Sequence, residues 1–126
     1  MNLSTEQFAL IVSEALDSLP EKFRDKINNL AILVEDNPTK EQKKKARIGR
    51  EFDLLGLYEG FVQSRRLNFG PVPPDKITIF RLPILKNCGN IDEARRRIKD
   101  TFLHEIAHHF GSDEPGARKA AKKINK

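Results

Sequence analysis

The residues best suited to chemistry in this chain are His104-Glu105-Ile106-Ala107-His108. In a helix, positions four apart lie one above the other on the same face. Two imidazoles placed in this way can reach one metal ion. Glu105 stands about 100° further round at 3.6 residues per turn. That is a poor position for binding the same ion and a good one for touching a water on it. The rings therefore hold the cation, and the carboxylate takes the proton of the water.

A tetrahedral zinc site that works on a substrate uses a third protein ligand and leaves the fourth place to water. Gly111 follows His108 by three residues and permits the positive φ that turns a chain sharply back. Asp113 and Glu114 come next. Extending the spacing to His-Glu-x-x-His-x-x-Gly-x-x-acid puts Glu114 in the last slot, and Asp113 competes with it. The expected cofactor is one Zn2+ ion, although other divalent metals can use the same donors.

The neighbouring residues admit more than one reading. His109 points about 100° away from His108. A partly exposed structural histidine is the plainer reading, ahead of a role behind the metal ligands or facing a substrate. Asp100 lies one turn before His104. It could orient that imidazole, as partners of metal-bound histidines do, or pair with Arg95, Arg96 or Arg97. Attack on an amide would also require a donor to the developing oxyanion. Tyr58, Arg65, Arg66 and Arg81 are the candidates. The lone Cys88 sits in a turn, Lys86-Asn87-Cys88-Gly89-Asn90, and reads as structural.

The elements that must position this motif can be read from periodicity. Residues 91–110 carry the longest helical pattern, with Ile91, Ala94, Ile98, Phe102, Ile106 and Phe110 in one stripe. That stripe faces away from the histidines. Residues 4–18 form a second amphipathic helix, opened by a capping box of Ser4 and Gln7. Pro20 opens a short helix with Phe23 and Ile27 on its buried side. Leu30 to Val34 reads as a strand closed by Asp36-Asn37-Pro38. Residues 39–50 are basic and aperiodic, which suits a solvated loop or a short exposed helix. Leu54 to Tyr58 is a second strand candidate. Ile77 to Phe80 is the clearest strand, and Pro83 after it suits an edge strand or the end of the strand; an exposed edge here would be open to an added peptide strand.

The 126 residues suffice for one core, and a single domain over 1–126 is expected. A charge of +5 raises the expectation of an acidic partner only modestly. One cysteine excludes a disulfide scaffold. Glu6, Glu14 and Asp17 interrupt any secretory apolar core, and no apolar run approaches the ~20 residues of a membrane span. A cytoplasmic protein with no membrane partner is expected.

Several segments together resemble a known family. They are Leu55-Gly56-Leu57-Tyr58-Glu59-Gly60, Pro74-Asp75-Lys76-Ile77-Thr78-Ile79-Phe80 and Leu103-His104-Glu105-Ile106-Ala107-His108-His109-Phe110-Gly111. Ala15-Leu16-Asp17-Ser18-Leu19-Pro20 and Val34-Glu35-Asp36 also fit. With these residues the chain resembles the minimal zincins, small bacterial zinc metallopeptidases whose HExxHxxG is followed by Asp or Glu. The resemblance implies an α+β fold in which a small β-sheet packs on the long HExxH-bearing helix, with additional helices. It implies His104, His108 and the acid at Glu114 as ligands, Glu105 as the catalytic residue, and a peptide or protein substrate.

Three functions compete. The first is zinc-dependent peptide or amide hydrolysis. The second is a metal-binding interaction module with little turnover, which the small size favours and Glu105 disfavours. The third is nucleic-acid binding through Lys43-Lys44-Lys45-Ala46-Arg47, Arg50, Arg95-Arg96-Arg97, Lys119, Lys122 and Lys123. Such runs are usually solvated faces, and no aromatic residues interleave with them to stack bases.

Overall fold

The computed structural model describes residues 2–25, 27, 29–46, 53–60 and 74–111. Helix α1 spans Thr5–Asp17 and is opened by the expected capping box. The Gln7 amide donates to Ser4 Oγ at 3.1 Å, and the Ser4 amide donates to Gln7 Oε1 at 2.9 Å. Its buried face is Phe8, Ile11, Val12 and Ala15. Pro20 then caps the four-residue helix α2, Glu21–Arg24.

Strand β1 covers Leu30–Glu35. Helix α3, Lys40–Lys45, follows and buries none of its residues. It exists because Thr39 and Gln42 build a second capping box, at 3.1 and 2.8 Å. A local device of this kind supports a short helix that has no apolar face. Strand β2 is Gly56–Glu59, and β3 is Asp75–Phe80. Helix α4, Arg81–Leu85, and the long helix α5, Ile91–Gly111, complete the order.

The three strands lie in the order β1-β3-β2. β1 and β3 run parallel, with Leu30 beside Asp75 and Glu35 beside Phe80. β2 and β3 are antiparallel, with Gly56 beside Ile79 and Glu59 beside Lys76. The expectation that Ile77 to Phe80 forms a sheet edge is therefore overturned. β3 is the central strand, and Ile77, Thr78, Ile79 and Phe80 are all buried. A strand covered on both faces reads as a continuous apolar run. Pro83 follows the end of the strand, the other reading it allows, and is the third residue of α4. There a helix has no partner for its amide in any case.

One face of the sheet carries Ile32, Val34, Ile77 and Ile79 into a core shared with α1 and α5. The stripe on α5 holds as expected for Ala94, Ile98, Phe102 and Ile106, with Phe110 half-buried against Phe23. Ile91, the first residue of the helix, is exposed instead. Each fully buried aliphatic or aromatic side chain stabilises by about 1.5–3 kcal/mol, so this stripe fixes which face of α5 is left for chemistry. Glu14 and Arg95 form an ion pair between α1 and α5. Leu54, Leu57 and Phe80 form a smaller cluster. Among the described residues, no helix is long and apolar enough to cross a membrane.

Candidate metal centre

The face of α5 opposite its apolar stripe meets β2 across a cleft of about 940 Å³. His104, Glu105 and His108 line it from the helix, and Gly56, Leu57 and Tyr58 from the strand. His104 is exposed, His108 is half-buried and Glu105 is buried. The gradient has a simple origin. Glu105 lies on the side of the helix nearest β2, and glycine at position 56 removes the side chain that would keep the two elements apart. A Cβ on Gly56 would stand 3.0 Å from both Glu105 Cγ and Thr101 Cγ2.

The ring centroids of His104 and His108 are 5.1 Å apart, with the planes at 81°. Two imidazoles bound at about 2.0–2.1 Å to one tetrahedral ion would hold their centroids roughly 5.2 Å apart. The pair therefore fits a shared zinc ion, and imidazole is a donor that zinc accepts readily. Among the described residues, no third acidic, thiol or imidazole group completes a metal-binding cluster with them. Asp113 and Glu114, expected to supply the third ligand, lie outside the described residues, as do Arg65 and Arg66.

The surroundings of the pair differ from several expectations. Asp100 lines the cleft and is exposed. Among the described residues, no hydrogen bond joins it to His104 and no ion pair joins it to Arg95, Arg96 or Arg97. Arg95 is taken by Glu14. Arg81 is not among the residues that line the cleft. Its Nε lies 2.9 Å from Asp36 Oδ1, and its Nη1 donates to the Leu3 carbonyl at 2.6 Å. These bonds tie it to the N-terminal segment. Cys88 is buried and donates its thiol to the Ile84 carbonyl at 3.3 Å.

His109 is half-buried as a residue, and its side chain is firmly held. Its side chain is 8% exposed, and its Nδ1 lies 3.0 Å from Asp75 Oδ2. The Tyr58 hydroxyl donates to the same oxygen at 2.7 Å. The Tyr58 ring lies nearly parallel to His108, at 13° and 6.0 Å between centroids, and edge-on to His109 at 6.2 Å. Sequence reasoning did not place Asp75 in the site. An acid shortly before the Ile77-Thr78-Ile79-Phe80 run was the available signal, because a carboxylate carried into a core must find donors there.

One charged cluster borders the far end of β2. Lys45 Nζ lies 2.7 Å from Glu59 Oε2, and Lys76 Nζ lies 3.6 Å from Glu59 Oε1. Partial burial opposes ionisation of Glu59, but the Lys45 hydrogen bond and the Lys76 charge outweigh it and hold the carboxyl below its ordinary value. The Glu59 hydrogen bond raises Lys45 in turn.

A family model described as zincin-like metallopeptidase matches residues 27–120. A solved structure described as a conserved hypothetical protein from Thermus thermophilus superposes with a TM-score of 0.61. It is 21% identical in sequence, and the match covers 86% of this chain and 95% of that one. At that identity the likeness shows the fold alone. No curated protein matches the chain.

Proposed function

Since this chain belongs to the zincin-like metallopeptidase family, we propose that it hydrolyses peptide or amide bonds with the help of one zinc ion. The observation that carries the reading is the spacing of the His104 and His108 rings, 5.1 Å, on the open face of α5. Those two side chains would hold the ion, with Glu114 as the third ligand and Asp113 as its alternative. When bound, zinc supplies a Lewis acid that polarises a carbonyl and acidifies water.

The remaining steps fall to the chain's own residues. Glu105 is buried at the wall of the cleft beside Gly56. Its carboxylate accepts the proton of the attacking water and returns it to the leaving nitrogen. β2, not β3, is an edge of the described sheet, as β1 is on the other side, and β2 lies along the cleft. A substrate in extended form would add to it through main-chain hydrogen bonds, which recognises backbone more than side chains. Tyr58 faces the cleft with its hydroxyl given to Asp75. It therefore shapes the wall before it serves as any oxyanion donor.

The test is hydrolysis of a mixed peptide library by the zinc-loaded protein and by Glu105→Gln. The variant retains zinc and loses about 10²–10⁴-fold in rate. Full activity in the variant would refute Glu105 as the base. Zinc retained by the wild type without cleavage of any peptide would move the protein to the second reading, a metal-binding interaction module.

A further inference from the structure

We propose that Asp75 is a positioning residue for the metal-binding turn, acting through Tyr58 and His109 to set the ring of His108. The inference rests on the reading of His104 and His108 as zinc ligands.

Three elements converge on one carboxylate oxygen. Asp75 opens β3, Tyr58 lies in β2, and His109 stands in the last turn of α5. Tyr58 Oη and His109 Nδ1 meet Asp75 Oδ2 at 2.7 and 3.0 Å. The Asp75 and His109 side chains are 7% and 8% exposed. Water is a poor substitute for the two partners there, and a buried carboxylate without them would be costly. The backbone of Asp75 is fixed as well. Its amide donates to the Asn29 carbonyl at 2.9 Å, and Asn29 has φ 52°, a left-handed conformation that asparagine tolerates.

The consequence reaches the cleft in two ways. With its hydroxyl anchored, the Tyr58 ring has its long axis set in direction, and His108 packs nearly parallel to the ring at 13°. The His109 Nδ1 contact with Asp75 ties the last turn of α5 to β3. His108 is thereby held near the orientation that keeps it 5.1 Å from His104. A ring already ordered loses less side-chain entropy when it takes up an ion. His104, exposed and a turn earlier, receives no such support among the described residues.

A purely packing role for Asp75 would alter stability without singling out one imidazole, which sets the experiment. Tyr58→Phe keeps the ring and removes the hydroxyl. Asp75→Ala removes the acceptor, and Asp75→Asn leaves an amide oxygen able to accept both bonds. The full-length variants are titrated with zinc against a chromophoric chelator, and the imidazole NMR signals of the metal-free proteins are compared. Tyr58→Phe and Asp75→Ala are expected to weaken zinc binding about tenfold or more. They should shift the ring signals of His108 and His109 and leave those of His104 in place, and Asp75→Asn should restore most of the affinity. Should Asp75→Ala fail to fold, Tyr58→Phe carries the test. Wild-type affinity and unmoved His108 signals in Tyr58→Phe would overturn the proposal. If the wild type binds no zinc, the ligand reading falls by itself. The NMR comparison then decides alone whether Asp75 orders His108, with unmoved signals again overturning the idea.

Discussion

Gly56 and Glu105 face each other so closely that a methyl group on the glycine would lie 3.0 Å from the Glu105 Cγ and 3.4 Å from its Oε2. Gly56→Ala should therefore act on stability and chemistry together. Either β2 moves away from α5 or the Glu105 side chain swings out of its place. Forced overpacking of this kind costs about 1–3 kcal/mol. Calorimetry should show a lower melting temperature, and hydrolysis should fall more than zinc affinity does. Unchanged activity would mean that Glu105 does not need the position it occupies.

Removing the metal offers a second check. A ligand at a hundred times its Kd stabilises the native state by about 2.7 kcal/mol. Chelation should lower the melting temperature, and added zinc should restore it. In His108→Ala and His104→Ala, chelator and zinc should have no effect on melting. A chelator-insensitive wild type would count against a bound ion of any structural weight.

The third ligand can be assigned by single changes at two adjacent acids. Glu114→Ala should lose zinc on dialysis, and Asp113→Ala should keep it, read by metal analysis of the purified proteins. The reverse result would place the ligand one residue earlier and leave the histidine pair unaffected.

A pH dependence follows from Glu59. Its carboxyl is held below the ordinary value of 4.5. The stability it contributes is therefore full above that value and lost as pH falls through the lowered folded-state value. The melting temperature of the wild type should exceed that of Glu59→Gln at neutral pH, and the gap should close below pH 4.5. The effect is small, because Lys45 is well exposed and solvent screens the pair. Added salt should narrow the gap at neutral pH.

What the sequence made legible was local. Ser4 and Gln7 announce α1 because a capping box needs only four consecutive residues. The His104–His108 pair is readable because one helical turn creates it. The stripe on α5 was legible from Ala94 to Phe110 for the same reason. The pairing of β1 with β3 was not, since Leu30 and Asp75 meet only after the intervening chain has crossed over. Pro83 left two readings open, a sheet edge or the end of the strand, and only the fold selects the second, with the proline in the first turn of α4. Asp75 shows the limit most clearly. As a residue it resembles a turn acid before a strand, and its role comes from Tyr58 and His109, which reach it only in the folded molecule. Asp100 failed in the opposite sense. Correct spacing one turn from His104 did not bring the side chains together.

The long helix is held on its closed side by α1, with Phe8 and Ile98 in the shared core and Glu14 paired to Arg95. Its open side meets a short peripheral strand that, among the described residues, has a neighbour only at β3. Rigidity and adaptability are thus assigned to different parts of the molecule. The exposed Arg96 and the half-buried Arg97 on the helix rim line the cleft and can be exchanged without touching the imidazoles or their backing. Altered selectivity is therefore best sought by varying those two positions, with α1 and the buried stripe left alone.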